Sequence, residues 1–448
     1  MKKIIYTLII LLSVNCSPLL QTPSVELPSD YSFGAGFSRD TTPIESSWWL
    51  MFGDTTLNRV ITTALSNNRN LAAALANVES ARSYVKVAKA EFLPSVSVGA
   101  EVEAYRINGV TTKEFRATPT VEWEVSLFGK LRSTRKSATA KYLSTQWGYR
   151  AAQLALSAEV ATTLFTLAEY ERCLEIATRS YELRLKATAL IDSMHRYGMS
   201  NAVALEQARS LVYSAQSEVS SYQRAVAQTR LALALLMGQP LTSSITLSAT
   251  INTPPPPLPI GLPSALLERR PDIMESYYTM QSAAANVGVA RADRFPSISL
   301  TAEGGFITET LKELSSAKPI GWSLLGELTQ PVFNFGALKQ REKMAVQEYM
   351  AAMHNYEQAT LSALSDVESA LTAITTYNAQ YISTQALLNA NAKIALTTSA
   401  LYKSGLGDYL SVIDAERELY ASQIEFIGIA TQQYINYVDL IKNLGGGF

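Results

Sequence analysis

Histidine and cysteine are nearly missing from this 448-residue chain, with only His195, His354, Cys16 and Cys173 to hand. Two thiols so far apart build neither a disulfide framework nor a thiolate metal cluster. A Ser-His-Asp relay would rest on one isolated histidine, which argues against hydrolytic chemistry. No charge of one sign dominates, since 38 Lys+Arg meet 39 Asp+Glu for a net charge of −1. Proteins that track nucleic-acid phosphates carry a clear cationic excess, so nucleic acid is not expected as a partner. A Gly-rich phosphate loop followed by Lys and Ser/Thr is also lacking, and no cofactor or metal is implied. Proline is absent between Pro119 and Pro240 and again after Pro331. Because proline breaks helix interiors, those gaps permit very long helices.

What is present describes a folded protein: 47% hydrophobic and 17% charged residues. The N-terminus carries Lys2 and Lys3, an apolar stretch from Ile4 to Val14, and then Cys16. Eleven apolar residues are too few for a membrane-spanning helix but suit a secretory signal, expected over residues 1–15. A cysteine closing such a stretch resembles the acylated first residue of a bacterial lipoprotein, although Asn15 stands where those signals usually carry Gly, Ala or Ser. No later segment offers 18 consecutive apolar residues, so the mature chain is expected to enter a bilayer only as a β-barrel or through a lipid.

The chain is internally duplicated. Residues 85–101, VKVAKAEFLPSVSVGAE, align without gaps on 287–303, VGVARADRFPSISLTAE, with nine identities in 17 positions. LFGKLR (127–132) matches NFGALK (334–339), and 197–216 matches 404–423 more weakly. A unit of about two hundred residues is too long for a solenoid repeat. Expected boundaries are an N-terminal segment 16–57, a first repeat 58–240, a Pro-rich linker 241–264 holding Pro254 to Pro257, and a second repeat 265–448.

In each repeat a helical approach leads to a Pro-Ser step, and the periodicity then changes to strict alternation. Val96, Val98, Ala100, Val102 and Ala104 alternate with Ser95, Ser97, Gly99, Glu101 and Glu103. The return segment sets Phe115, Ala117, Pro119, Val121, Trp123 and Val125 against Arg116, Thr118, Thr120, Glu122 and Glu124. The second repeat does the same with Ile298, Leu300, Ala302 and Phe306, then Trp322, Leu324 and Leu328. Four strands of about ten residues are expected, in hairpins over 94–127 and 296–333; that is the length a tilted strand needs to cross a bilayer. A soluble sheet with one wet face shows the same alternation. Carboxylates at Glu101, Glu103, Glu122, Glu124, Glu303 and Glu327, opposite a face bearing Trp123 and Trp322, favour a barrel with a wet lumen. Four strands cannot close a membrane barrel, so copies must share one: three give 12 strands, two give 8, and the count alone leaves both open.

The Pro-free runs 130–196 and 337–403 are each 67 residues and would reach roughly 100 Å as continuous helix. Along the first, Leu156, Val160, Thr163, Leu167, Tyr170, Leu174 and Ala177 form one apolar seam, and Leu154, Ala158, Ala161, Phe165 and Ala168 a second. Two seams let a helix pack on neighbours at both sides, as in a cylindrical wall, while a plain helical bundle remains the competing reading.

With these features assembled, the chain resembles the TolC-like outer-membrane factors, especially their efflux lipoprotein branch. The resemblance lies in WWLMFGDTTLNRVITTALSNNRNL (48–71), FLPSVSV (92–98), WEVSLFGKLRSTRKSA (123–138), GLPSALLERRPDI (261–273), ANVGVARADRFPSISL (285–300), LTQPVFNFGALK (328–339) and GLGDYLSVIDAERELYASQ (405–423). It implies a mixed α and β membrane protein: a homotrimeric 12-stranded transmembrane β-barrel, four strands per chain, continued by a long periplasmic α-helical barrel with an equatorial domain. It further implies a passive, non-enzymatic exit duct in the bacterial outer membrane. The duct would work with a periplasmic adaptor and an inner-membrane transporter of the RND type, with Cys16 as lipid anchor. The family's LD-A carboxylate falls on Asp414 and a tip tyrosine on Tyr402, with Asp408 beside them. Ser411 and Gly407 depart from some members, which have Asp and Arg there. On the residues alone, Asp408 is a helix N-cap after Gly405, Leu406 and Gly407, and Asp414 a solvated side chain. A soluble periplasmic coiled-coil scaffold or adaptor is the alternative function.

Overall fold

A computed structural model describes residues 23, 25–35, 37–38, 45–240, 260–261, 263–310 and 321–447. The expected signal segment, Cys16, most of the Pro-rich linker and residues 311–320 lie outside the described residues. Helices α1 (Thr55–Asn67), α2 (Arg69–Ala90), α3 (Lys130–Arg196), α4 (Ala202–Leu236), α5 (Leu266–Arg269), α6 (Pro271–Ala292), α7 (Ala337–Lys403) and α8 (Tyr409–Asn443) accompany strands β1 (Ser95–Ile107), β2 (Val110–Val125), β3 (Ser297–Thr308) and β4 (Gly321–Thr329). The duplication is exact in helix length: α2 and α6 have 22 residues, α3 and α7 have 67, and α4 and α8 have 35. From residue 69 to 271 the step is 202; from 130 to 337 and from 202 to 409 it is 207. The five-residue difference is taken up between the first and second helix of each repeat, where the hairpins lie.

The chain divides into two compact units, and one of them contains residues 76–147 and 273–359. It holds an antiparallel sheet in the order β1-β2-β3-β4. Asn108 and Gly109 join β1 to β2 with φ of 51° and 84°. Two successive positive φ values make the type I′ turn whose twist matches flanking strands, and Asn-Gly is its preferred pair. The β2–β3 ladder skips Thr118 and Pro119 opposite Gly304 and Gly305. Pro119 has no N–H to give, and a Cβ on Gly305 would sit 2.9 Å from the Ala117 carbonyl oxygen, so glycine is required for the close approach. Beneath the strands, α6 packs on α7 through Met280, Val287, Ala345 and Tyr349. It is tied to α3 by Ser137–Ser282 (3.0 Å) and Ser144–Thr279 (2.9 Å).

The second unit contains Glu26–Leu75, Gly148–Asp272 and Thr360–Phe448. Its core gathers around α3, where Leu154, Leu156, Ser157, Ala158, Val160, Ala161, Leu164, Phe165 and Leu167 are all buried. The two seams read from the sequence therefore merge here into a helix covered nearly all round. Part of the cover is the 3-10 turn Trp48–Phe52: Trp48 Nε1 donates to Ser157 Oγ at 3.2 Å, and Phe52, Phe165 and Tyr434 stack in a tilted cluster. Repeat symmetry recurs at the helix ends. Gly238 after α4 lies against the Asn67 carbonyl, and Gly445 after α8 against the Arg269 carbonyl; an added Cβ would meet those oxygens at 2.4 and 2.6 Å. The N-terminal segment is held by Glu368, which accepts from the Ser32 (2.6 Å) and Phe33 (3.0 Å) amides, while Ile260 N–H donates to the Ser38 carbonyl.

Candidate functional site

In an antiparallel pair, residues directly opposite each other share a face of the sheet. Val96 faces Val121, Val102 faces Phe115, Trp123 faces Leu300, Ile298 faces Leu328 and Ala302 faces Leu324, so one face is apolar across all four strands. Among the described residues nothing covers it: Val98, Val102, Trp322, Leu324 and Leu328 are all exposed. At its far margin the same face changes to Arg106 and Lys113, beside the Asn108–Gly109 turn. From Phe115 to Val125 the apolar stretch is ten residue steps, about 33 Å of strand and, at a tilt near 40°, about 25 Å of height. That matches the apolar band of a transmembrane barrel.

The other face collects the carboxylates. Glu101 stands opposite Arg116, Glu122 opposite Ser95 and Thr301, Glu124 and Glu327 opposite Ser299, Glu303 opposite Thr120 and Ser323, and Glu103 opposite Glu114. All six residues singled out from the sequence lie on this one face and are exposed. Glu114 and Arg116 join them and were not singled out as a site. Glu114 accepts from Arg116 Nη2 (2.8 Å) and from the Tyr105 hydroxyl (3.2 Å), a local balance within an otherwise acidic surface. Strand parity puts Glu114 and Arg116, two residues apart on β2, on this same face, whereas the Tyr105 hydroxyl reaches Glu114 only through the β1–β2 register.

The helical unit carries two turns of like construction. Gly198 (φ 73°) ends α3 with Met199 N–H donating to the Met194 carbonyl, and the Asn201 side chain caps α4 by accepting from Ala204 N–H. Gly405 (φ 76°) ends α7 with Leu406 N–H donating to the Leu401 carbonyl, and the Asp408 side chain caps α8 by accepting from Ser411 N–H at 2.7 Å. Each is a left-handed glycine closing one helix and a short polar side chain opening the next. That amide holds the Asp408 carboxyl below its ordinary range. Tyr402 packs beside Tyr409 (5.4 Å between rings) and meets Met194 Sδ at 3.8 Å; Tyr409 rests on the Ile191, Leu205 and Ala208 cluster. Asp414 lies one and a half turns into α8, 61% exposed, 3.9 Å from Arg417. Tyr402 and Asp408 are thus brought together at the turn, and Asp414 stands free of that contact.

Above the turn the helices are tied by a residue the periodicity did not reveal. Arg184 of α3 is 6% exposed; its Nη1 donates to the Leu211 carbonyl of α4 (3.2 Å), and its guanidinium lies 5.6 Å over the Tyr420 ring of α8. Burial pushes the Glu416 carboxyl up, with Arg184 pulling it back. A charged residue within a long amphipathic run gives no sequence sign that it turns inward. Burial also raises the Cys173 thiol to about 12, leaving it protonated and inert.

Comparison with known proteins agrees with this arrangement. The chain is 33% identical over 412 residues to the solvent efflux pump outer membrane protein SrpC of Pseudomonas putida, covering 89% of this chain and 86% of that one. It is 30% identical over 443 residues to the cation efflux system protein CusC of Escherichia coli, covering 97% and 96%. The solved structure of the Campylobacter jejuni CmeC outer membrane channel superposes with a TM-score of 0.92 at 25% identity, over 96% of this chain and 95% of that one. The family described as Outer membrane efflux protein matches residues 60–239 and 262–446. A sheet with one apolar and one carboxylate-bearing face, joined to paired long helices and matched along nearly its whole length, places this chain in the outer membrane efflux protein family, a family of outer-membrane transport channels and not of enzymes.

Proposed function

We propose that three copies of this chain form the exit duct of a tripartite efflux system. The observation that carries this reading is the sheet, with its uncovered apolar face and its two open edges at β1 and β4. Lipid tolerates no open edge, so β1 of one copy pairs with β4 of the next, and three copies close a 12-stranded barrel. The carboxylate face then lines the lumen, and the long helices build a barrel through the periplasm. A periplasmic adaptor docks on the helical turns and an inner-membrane transporter of the RND type supplies the energy. The relatives' names span solvents and cations, so the duct is assigned no cargo of its own. Acylation at Cys16 adds a lipid anchor. Cysteines introduced along β1 and β4 should crosslink between copies into a covalent trimer; a purified single-chain species with no crosslinks would overturn the reading.

Tyr402, Asp408 and Asp414 form the resting gate in this proposal. Three copies of Asp414 around a narrow axis attract cations and repel one another. Arg184 helps hold α8 to α3 and α4 when the duct is shut. Asp414→Ala in planar bilayers should lower cation preference and raise conductance. Unchanged values on both counts would remove Asp414 from the gate.

A further inference from the structure

A groove of about 1060 Å³ runs between α3 and α6, directly below the strands. Its lining includes Phe92, Arg132, Arg135 and Lys136, and no carboxylate. All three cations are exposed, and among the described residues none forms an ion pair. Their neighbours behave differently. Lys130 pairs with Asp293 at 3.1 Å, and Arg291 and Arg294 are both taken by Glu342. Glu342 is the repeat counterpart of Arg135, since positions 132, 135 and 136 correspond to Lys339, Glu342 and Lys343. The second repeat therefore neutralises the place where the first leaves its charge open.

Position points to the occupant. Phe92 lines the groove and its carbonyl accepts from Trp123 Nε1 at 3.1 Å, so the rim is bonded to a side chain of the membrane-facing apolar surface. Stacked Phe128 and Phe295 (4.9 Å) mark the same level, as interfacial aromatics do. Arg132 follows the first residue of α3 by two positions and Lys136 by six, about 3 and 9 Å along the axis. The headgroup layer on each side of a bilayer is about 5–8 Å thick, so the cations span that layer. Arg132 and Arg135 offer planar forks suited to phosphate oxygens, and Lys136 a point charge beside them.

We infer that this groove binds the phosphate headgroup of an anionic phospholipid in the leaflet facing the helices. The inference rests on the bilayer position of the sheet. Each variant's insertion is therefore scored separately by proteoliposome flotation, which distinguishes failure of that placement from failure of the lipid site.

The test is native mass spectrometry of the full-length oligomer in detergent, titrated with phosphatidylglycerol and, in parallel, with phosphatidylcholine. The wild type should retain phosphatidylglycerol preferentially. Arg132→Gln/Arg135→Gln/Lys136→Gln should weaken that binding by about fivefold per charge, about a hundredfold in all. Arg132→Lys/Arg135→Lys should keep most of it, and Lys339→Gln/Lys343→Gln should leave it unchanged. Equal loss in the Lys339/Lys343 variant would reduce the effect to general surface charge and overturn the assignment. Inorganic phosphate competing as strongly as the lipid would make this a soluble-anion site and overturn it too. So would a triple variant that loses its oligomeric state while lipid retention per copy is unchanged, since the groove would then be a seam between copies.

Discussion

Arg270 offers the sharpest test of how the helical unit is held. Its side chain is only 9% exposed and makes five hydrogen bonds. Nε and Nη2 fork onto Asp272 (3.0 and 2.6 Å), Nη2 also reaches Asp366 (3.2 Å), and Nη1 donates to the carbonyls of Ala363 (3.4 Å) and Asn443 (3.3 Å). One side chain thus fastens the start of α6, the body of α7 and the end of α8. Truncating one partner of a buried ion pair costs about 3–5 kcal/mol. Here both carboxylates are nearly half exposed, 47% and 46%, and rehydrate once released, so Arg270→Ala is expected to cost about 2–3 kcal/mol. Arg270→Lys keeps the charge but cannot fork onto Asp272 while reaching two carbonyls, and should recover about half of that. Equilibrium urea denaturation of the detergent-solubilised protein, followed by helical circular dichroism, measures both. An alanine variant within about 0.5 kcal/mol of wild type would show that the fork is incidental.

Other substitutions probe separate devices. Gly238→Ala places a Cβ 2.4 Å from the Asn67 carbonyl at a φ of +64°, and should destabilise by at least about 1–2 kcal/mol in the same denaturation assay; a neutral result would refute the requirement for glycine. Asp408→Ala removes the α8 cap, and hydrogen exchange at the Ser411 amide should accelerate while α4, capped by Asn201, keeps its protection. The depressed Asp408 pKa means its contribution is present above the unfolded carboxylate value and lost as pH falls through the folded one. Glu169, Glu416 and Asp439 act in the opposite sense. Burial raises all three, so the folded chain binds protons more readily than the unfolded one. Their cost is relieved as pH falls from above the folded values toward the unfolded ones near about 4. Glu416→Gln should flatten the dependence of thermal midpoint on pH as pH falls toward the unfolded carboxylate value of about 4, and an unaltered slope would contradict the burial argument.

The alternation, the duplication and the long Pro-free helices could be read directly, because each is a local period that the backbone imposes: two residues per repeat in a strand, 3.6 in a helix. The same holds for the turn at Gly405 and Asp408, where a positive φ and an Asx cap need only neighbours in the chain. The Asn108–Gly109 hairpin was equally open to reading, since Asn-Gly between alternating runs is a hairpin signal in itself. Other features were closed to that reading. Arg270 meets Asn443 across 173 residues, Arg184 turns inward toward Tyr420, and Glu114 receives the Tyr105 hydroxyl only because the β1–β2 register sets the two side by side. Arg132, Arg135 and Lys136 line a groove only because α6 forms its far wall, about 145 positions on in the sequence. Periodicity fixes which face of an element is apolar; which charge meets which partner depends on distances that exist only once separate stretches of chain have packed.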